Sequence, residues 1–122
     1  MYRLTVRDSF DAAHFLPNHK GKCKNMHGHT WFVEVEVSAK ELSSYGMVLD
    51  FQNIKDALRL ILSCFDHTVL NEHKSFKLSS PTAENVATVI FSRMRDQIKQ
   101  TSAVTVWESP TAWVRLEETM SQ

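Results

Sequence analysis

The sequence has 122 residues, 43% of them hydrophobic and 10% aromatic, and its 14 basic and 14 acidic side chains give a formal net charge of zero. This length fits one compact domain spanning residues 1–122, and the apolar content suffices for a core, which excludes a disordered chain. Because the charges balance, the protein as a whole has no electrostatic field that would attract nucleic acid or an anionic membrane. Any anion must therefore be bound by a local group of charges.

The sequence contains two cysteines, Cys23 and Cys64. Two cysteines do not imply a disulfide framework, and a protein with this cysteine content is expected in a reducing compartment. Residues 1–8 carry charges where a signal peptide needs an apolar run, and no stretch approaches the roughly 20 apolar residues of a membrane-spanning helix. We therefore expect a soluble, cytoplasmic protein, with Cys64 in the core because its neighbours are apolar.

Two strands are predicted in the first third of the chain. Apolar and polar residues alternate from Arg3 to His14, with a break only at Asp8, and again from His27 to Val37. Such alternation is typical of strands with one buried face. The apolar face of the first strand carries Leu4, Val6, Phe10, Ala12 and His14. That of the second carries His27, His29, Trp31, Val33, Val35 and Val37.

Two helices follow. The hydrophobic period becomes helical over residues 50–65, and Asp50 is a suitable N-cap. The apolar face of this helix consists of Ile54, Leu58, Ile61, Leu62 and Phe65. A second helix is predicted to begin near residues 80–84, with Ser80 as its cap and Pro81 in its first turn. Its buried positions are Ala83, Val86, Ala87, Ile90 and Met94.

Two short strands, at residues 104–108 and 112–116, are predicted after the second helix and are joined around Pro110. The predicted order is therefore ββααββ. This order indicates an α+β fold in which two helices lie over one face of an antiparallel sheet.

Three histidines are predicted to meet at one edge of the core. Strand side chains alternate between faces, so His27 and His29 point to the same side, while His14 ends the first strand on its own apolar face. If the two strands pair in antiparallel orientation, the end of the first lies beside the start of the second. Three neutral imidazoles suit zinc and leave one position open for substrate or water. The alternative is that they are isolated histidines at strand ends.

Cys23 precedes His27 by four residues, in a loop that also carries Lys20, Lys22 and Lys24. The sequence allows three roles for it. As a fourth metal ligand it would close a structural site. As a free thiol beside the metal it would be favoured as thiolate by the metal and the lysines. The third possibility is an incidental loop cysteine.

Asp66 and His67 follow the first helix and are adjacent in sequence. The carboxylate can orient the imidazole in a proton-relay pair, although this dipeptide is also a common feature of helix ends. Glu108 ends a strand on the same face as Val104 and Val106, where a carboxylate is costly unless donors pair with it. A ligand with two N–H groups would satisfy Glu108, and so would a neighbouring arginine.

In this order the motifs resemble those of the 6-pyruvoyltetrahydropterin synthase and 6-carboxytetrahydropterin synthase family, and the resemblance runs nearly end to end. The matching blocks are Phe10–His14, Cys23 with His27–His29, Leu49–Phe51, Phe65–Asn71, Pro81–Asn85 and Trp107–Ser109. The resemblance implies a tunnelling fold, in which subunits join their sheets into a barrel. The usual assembly is a homohexamer of two trimers, with active sites at subunit interfaces.

The resemblance also implies a cofactor and a substrate. Zn²⁺ would be held by His14, His27 and His29 and would bind the side-chain oxygens of 7,8-dihydroneopterin triphosphate. Zinc in this place would polarise that side chain and acidify the adjacent C–H.

Further site residues follow from the same resemblance. Cys23 would abstract a proton, and the pair Asp66–His67 would be the second proton-transfer group. Glu108 would hold the guanidine-like edge of the pterin through paired hydrogen bonds. The remaining substrate-binding residues would be Thr82 and Glu84.

Three residues separate Cys23 from His27. This spacing resembles the bacterial 6-carboxytetrahydropterin synthases of the 7-deazaguanine and queuosine route, which serves tRNA modification; the animal 6-pyruvoyl enzymes have a longer insertion. The implied products are 6-carboxytetrahydropterin, acetaldehyde and triphosphate. The alternatives are a 6-pyruvoyltetrahydropterin synthase, which only eliminates triphosphate, a zinc hydrolase and a non-enzymatic zinc-binding protein. Two positions depart from the family pattern: Phe15 replaces a frequent arginine, and Trp113 replaces a smaller residue.

Overall fold

A computed structural model of the chain describes residues 1–118, except for the side chain of Cys23. The strands are β1 (Tyr2–His14), β2 (His27–Ala39), β3 (Thr68–Val69), β4 (Thr101–Ser109) and β5 (Ala112–Glu117). The helices are α1 (Phe51–Ser63) and α2 (Ala83–Gln97), and three short 3-10 turns cover Lys22–Lys24, Leu70–Glu72 and Lys74–Phe76.

The strands form one sheet in the order β3-β1-β2-β4-β5. All neighbouring pairs are antiparallel except β1 and β3, which run parallel. The predicted α+β fold and its four longer strands are confirmed. β3 was not predicted, because two residues are too few to display an alternating pattern.

One hydrophobic core lies between the sheet and both helices. Val33, Val35 and Val37 of β2 are fully buried in it, and so is Trp31. The ring of Phe10, on β1, stacks on Trp31 with centroids 5.8 Å apart and planes within 5°. The predicted inward faces of β1 and β2 are therefore the observed ones, and they rigidly support the strand ends where the histidines lie.

The predicted cap of α1 is confirmed, because a side-chain oxygen of Asp50 accepts a hydrogen bond from Gln52 N at 2.8 Å. The helix α2 begins at Ala83, within the predicted range of residues 80–84, but its predicted cap is wrong. Thr82, not Ser80, is the N-cap, and its hydroxyl accepts from Asn85 N at 3.1 Å. Pro81 is buried just before the helix rather than inside its first turn, and its carbonyl oxygen is engaged by His14.

The prediction that Cys64 is a core residue is also wrong, since its side chain is exposed. Cys64 is the C-cap of α1, and its thiol lies 3.8 Å from the carbonyl oxygen of Leu60. The apolar face of α1 runs through Leu58, Ile61 and Leu62, and Cys64 lies two residues, or about 200° of helical rotation, beyond Leu62. None of the helices in the described chain has the length and apolar character needed to cross a bilayer.

Candidate metal centre

The pairing of β1 with β2 brings the three histidines together. His14 lies opposite His27, and Ala12 lies opposite His29. The ring centroids are 4.6 Å apart for His14 and His27, 5.2 Å for His14 and His29, and 4.5 Å for His27 and His29. This is the convergence that antiparallel pairing predicts.

Backbone carbonyls fix the orientation of two of these rings. His14 Nδ1 lies 2.8 Å from the carbonyl oxygen of Pro81, and His27 Nδ1 lies 2.7 Å from that of Asn25. A carbonyl oxygen can only accept, so both Nδ1 atoms donate, and each neutral ring then carries a free lone pair on Nε2. Histidine ligands of metals ordinarily have this arrangement, in which the second nitrogen donates to a carbonyl or carboxylate.

The inward-facing nitrogens need a partner. Among the residues that the structure describes, the Nε2 atoms of His14 and His29 are buried and make no hydrogen bond. Burial is the largest cause that lowers the pKa of His29, followed by the charges that His27 and His14 would carry, whereas Glu108 opposes the shift. The neutral form, which is the form that binds metals, is therefore favoured. This donor set fits a zinc ion.

Glu108, at the end of β4, completes the cluster. Its Oε1 lies 2.9 Å from His14 Nε2 and 3.6 Å from His29 Nε2. The ligand atoms of Glu108 and the three histidines all lie within 4.8 Å of one another. Among the described ion pairs, the partners of Glu108 are histidines and not an arginine, so the arginine explanation for its position is wrong.

A second cluster contains Asp11, Asp66 and His67. His67 Nδ1 lies 3.2 Å from Asp66 Oδ1, which places the predicted pair in contact. Asp66 Oδ1 also accepts a hydrogen bond from Asp11 N at 2.9 Å. That backbone N–H is the largest cause that lowers the pKa of Asp66, and His67 and Arg59 lower it further. Asp66 is therefore held as a carboxylate.

The backbone of His67 is held in an uncommon conformation. Its φ is 59°, in the left-handed region that residues other than glycine seldom adopt. His67 N donates to the carbonyl oxygen of Asp11 at 2.6 Å. Local strain of this kind persists where surrounding contacts determine it, and it is frequent at functional sites.

Sequence reasoning missed Asp11 and Thr30 as members of this cluster. Thr30 Oγ1 donates to Asp11 Oδ1 at 2.6 Å, across the β1–β2 pair. A usable signal was available, because the register that places His14 opposite His27 also places Asp11 opposite Thr30.

The two clusters lie on opposite faces of the sheet. Successive strand residues alternate between faces, so His14 faces the core, whereas Asp11 and Thr30 belong to the outer face. An open cavity of 420 Å³ at this end of the sheet is lined by both His29 and His67. Its volume is in the range of small-molecule sites.

The other predicted site residues are placed around this region. The hydroxyl of Thr82 is occupied as the cap of α2, and Glu84 is exposed in the first turn of that helix. The backbone of Cys23 belongs to the turn Lys22–Lys24, while its side chain lies outside the described residues. The roles of these three residues stay predictions.

The chain was compared with known proteins. A family model described as 6-pyruvoyl tetrahydropterin synthase matches residues 3–119. The 6-carboxy-5,6,7,8-tetrahydropterin synthase of Haemophilus influenzae is 35% identical, with 97% of this chain and 100% of that protein covered. The protein of the same name from Synechocystis is 40% identical, with 79% and 77% covered. The solved structure of Caenorhabditis elegans 6-pyruvoyl tetrahydropterin synthase is 28% identical with a TM-score of 0.89, covering 97% of this chain and 96% of that one.

Proposed function

The chain belongs to the 6-pyruvoyl tetrahydropterin synthase family, and we propose that within it the protein is a zinc-dependent 6-carboxy-5,6,7,8-tetrahydropterin synthase. The proposed reaction converts 7,8-dihydroneopterin triphosphate and one water molecule into 6-carboxytetrahydropterin, acetaldehyde and triphosphate. The main support is the convergence of three histidines, two of which, His14 and His29, have a buried Nε2 with no hydrogen-bond partner among the described residues. The relatives named 6-carboxy-5,6,7,8-tetrahydropterin synthase match most of the chain, and they are the reason for proposing the 6-carboxy product.

His14, His27 and His29 are the proposed zinc ligands. Pro81 and Asn25 keep two of these rings in the tautomer that offers Nε2 inward. When bound, zinc polarises the side-chain oxygens of the substrate and acidifies the adjacent C–H. Trp31, which is fully buried, packs edge-on against the rings of His14 and His29, with centroids 4.8 and 5.7 Å apart.

Proton transfer is assigned to Cys23 and to the pair Asp66–His67. Cys23 acts as the base that removes the proton next to the substrate oxygens. His67 is the second proton-transfer group, and Asp66 positions it through the contact between Oδ1 and Nδ1. The low pKa of Asp66, caused first by the N–H of Asp11, keeps this carboxylate charged beside the imidazole.

Recognition of the pterin is assigned to Glu108, with Thr82 and Glu84 as further substrate-binding residues. A carboxylate offers two acceptor oxygens to the two parallel N–H groups of the amino-pyrimidinone edge. The side chain of Glu108 is 32% exposed, which leaves it accessible to a ligand that enters from solvent.

The separation of the two clusters supports an assembly in which each site is shared. The pair Asp66–His67 clusters with Asp11, whose side chain belongs to the outer face of the sheet, whereas the histidine triad belongs to the core face; this supports a neighbouring copy as the source of the second proton-transfer pair. We therefore propose a homohexamer with active sites at subunit interfaces. A cytoplasmic location and a place in queuosine biosynthesis complete the proposal.

The test is to incubate the zinc-loaded protein with 7,8-dihydroneopterin triphosphate and to identify the pterin product by mass spectrometry. A product with a carboxyl group at C6 supports the proposal. A second candidate is 6-pyruvoyltetrahydropterin synthesis, favoured by the similarity to the nematode enzyme along almost the whole chain. A product with a 6-pyruvoyl side chain would select this candidate and overturn the first.

A further inference from the structure

We infer that Glu108 has two alternating partners: it closes the metal shell as a fourth ligand when no pterin is present, and it leaves the metal when a pterin ring binds. The exchange rests on the proposed function, whereas the ligation of the metal does not. Glu108 would then protect the bound metal while no substrate is present and would bind the pterin ring once substrate enters.

The first support is distance. Two ligands of a tetrahedral zinc ion, each about 2.0–2.2 Å from the metal, lie roughly 3.4 Å apart. Glu108 Oε1 lies 2.9 Å from His14 Nε2 and 3.6 Å from His29 Nε2, on either side of that value. Relative to His14 and His29 the oxygen is placed approximately as a fourth ligand would be, and it lies within 4.8 Å of the ligand nitrogen of His27.

The second support is the direction of the lone pairs. His14 Nδ1 carries the ring proton, because its partner is the carbonyl oxygen of Pro81. In the neutral ring Nε2 therefore presents a lone pair close to a carboxylate oxygen, which is repulsive unless a cation lies between them. Within the described part of the chain this nitrogen makes no hydrogen bond, although the oxygen is near enough for one. A shared metal ion accounts for the proximity without such a bond.

The third support is the backbone around Glu108. Trp107 pairs with Trp113 and Ser109 pairs with Ala112, so the register between β4 and β5 shifts by one residue at Glu108. A bulge of this kind turns a side chain in a new direction and is common beside active sites. Alternation along β4 already puts Glu108 on the core face with Val104 and Val106, and the bulge lies at this residue, at the very end of the strand.

The fourth support is the difference in exposure between the ligands. The His14 side chain is 0% exposed, whereas that of Glu108 is 32% exposed. The His29 side chain is 26% exposed, so Glu108 is the most exposed of these three side chains, and it can move toward solvent without opening the core. Turning both carboxylate oxygens toward a pterin edge would take Oε1 away from the histidines, so one partner displaces the other.

The experiment uses the full chain, stripped of metal and loaded with Zn²⁺ or with Co²⁺, whose visible absorption reports the number and type of ligands. Zinc affinity is measured by competition with a chelator for wild type, Glu108→Gln, Glu108→Ala and the control Glu117→Gln. Glu117 is a carboxylate of β5 that pairs with Arg115, away from the histidines. Thermal unfolding of each metal-free variant checks that it folds.

Both Glu108 variants are expected to bind zinc roughly tenfold or more weakly than wild type, with an altered Co²⁺ spectrum, while Glu117→Gln matches wild type. Equal zinc affinities and identical Co²⁺ spectra in folded Glu108 variants would overturn the ligand assignment.

The exchange is tested with pterin itself, which has no side chain to bind the metal. Added to the Co²⁺-loaded wild type, it should shift the spectrum toward that of Glu108→Gln. Pterin that binds and leaves the spectrum unchanged would overturn the exchange. A weakened zinc affinity in the variants together with no pterin binding in wild type would leave Glu108 a ligand and would count against the proposed function instead.

Discussion

His14 donates a hydrogen bond from Nδ1 to the carbonyl oxygen of Pro81, 2.8 Å away, directly before α2 begins. This contact joins the last residue of β1 to the start of a helix that packs on the same sheet. It explains why Pro81 stays outside the helix, and it fixes which nitrogen of His14 faces the cluster.

The metal assignment predicts that His14→Ala, His27→Ala and His29→Ala each lose stoichiometric zinc, because removing one of three neutral ligands leaves an incomplete shell. Metal content per chain, measured by mass spectrometry after dialysis, checks this. His19→Ala is the matched control, since His19 is an exposed loop histidine that accepts a hydrogen bond from Gly21 N. Full zinc occupancy in all three cluster variants would refute the site.

The variant Cys23→Ala distinguishes between two possible roles of Cys23, as the proton-abstracting base or as a metal ligand. If Cys23 is the base, the variant keeps zinc and pterin binding and loses turnover, because the proton-transfer step disappears while ground-state contacts remain. Zinc content, pterin affinity by calorimetry and kcat are the three measurements, with Cys64→Ala as the control. Loss of zinc would indicate that Cys23 is a ligand in a closed structural site. Undiminished turnover would show that Cys23 is neither the base nor a metal ligand.

The start of α2 is tested through its cap. Thr82→Val removes the acceptor of the Asn85 N–H and is expected to lower the free energy of unfolding by about 1 kcal/mol. Thr88→Val is the control, because the Thr88 hydroxyl only donates back to the carbonyl oxygen of Glu84 within the helix. Urea unfolding of both variants gives the difference. A larger loss for Thr88→Val would contradict the assignment of the cap.

Stability should depend on pH through Asp66. Its pKa is lowered in the folded chain, chiefly by the N–H of Asp11, so its contribution is present above the pKa of the unfolded chain. The contribution is lost as pH falls through the lower folded pKa. Asp66→Asn should therefore be less stable than wild type near pH 7, and the difference should vanish in acid.

Urea unfolding of wild type and Asp66→Asn between pH 7 and pH 2 measures this difference. Asp96→Asn controls for the removal of one surface carboxylate. A stability difference that persists unchanged into acid would contradict the role of the Asp11 N–H.

Alternation along β1 and β2 predicted that His14, His27 and His29 face the core, and antiparallel pairing of the two strands brings His14 beside His27. The parts that the sequence did not predict depend on contacts between distant segments. The left-handed backbone of His67 is held by Asp11, and the bulge at Glu108 depends on the register of β5. Thr82 and Ser80 are both residue types that are favoured as N-caps. The contact between His14 and the carbonyl oxygen of Pro81 keeps Pro81 outside the helix, and Thr82 is therefore the cap.

The release of acetaldehyde tests the central claim most directly, because only the 6-carboxy reaction removes two carbons of the side chain. Acetaldehyde is measured with a coupled dehydrogenase, and triphosphate is measured in parallel, for the zinc-loaded protein acting on 7,8-dihydroneopterin triphosphate; His29→Ala serves as the metal-free control. Wild type is expected to release equimolar acetaldehyde and triphosphate, and His29→Ala is expected to release neither. Triphosphate without acetaldehyde would contradict the 6-carboxy assignment, and the absence of both from folded, zinc-loaded hexamer would contradict the proposed function as a whole.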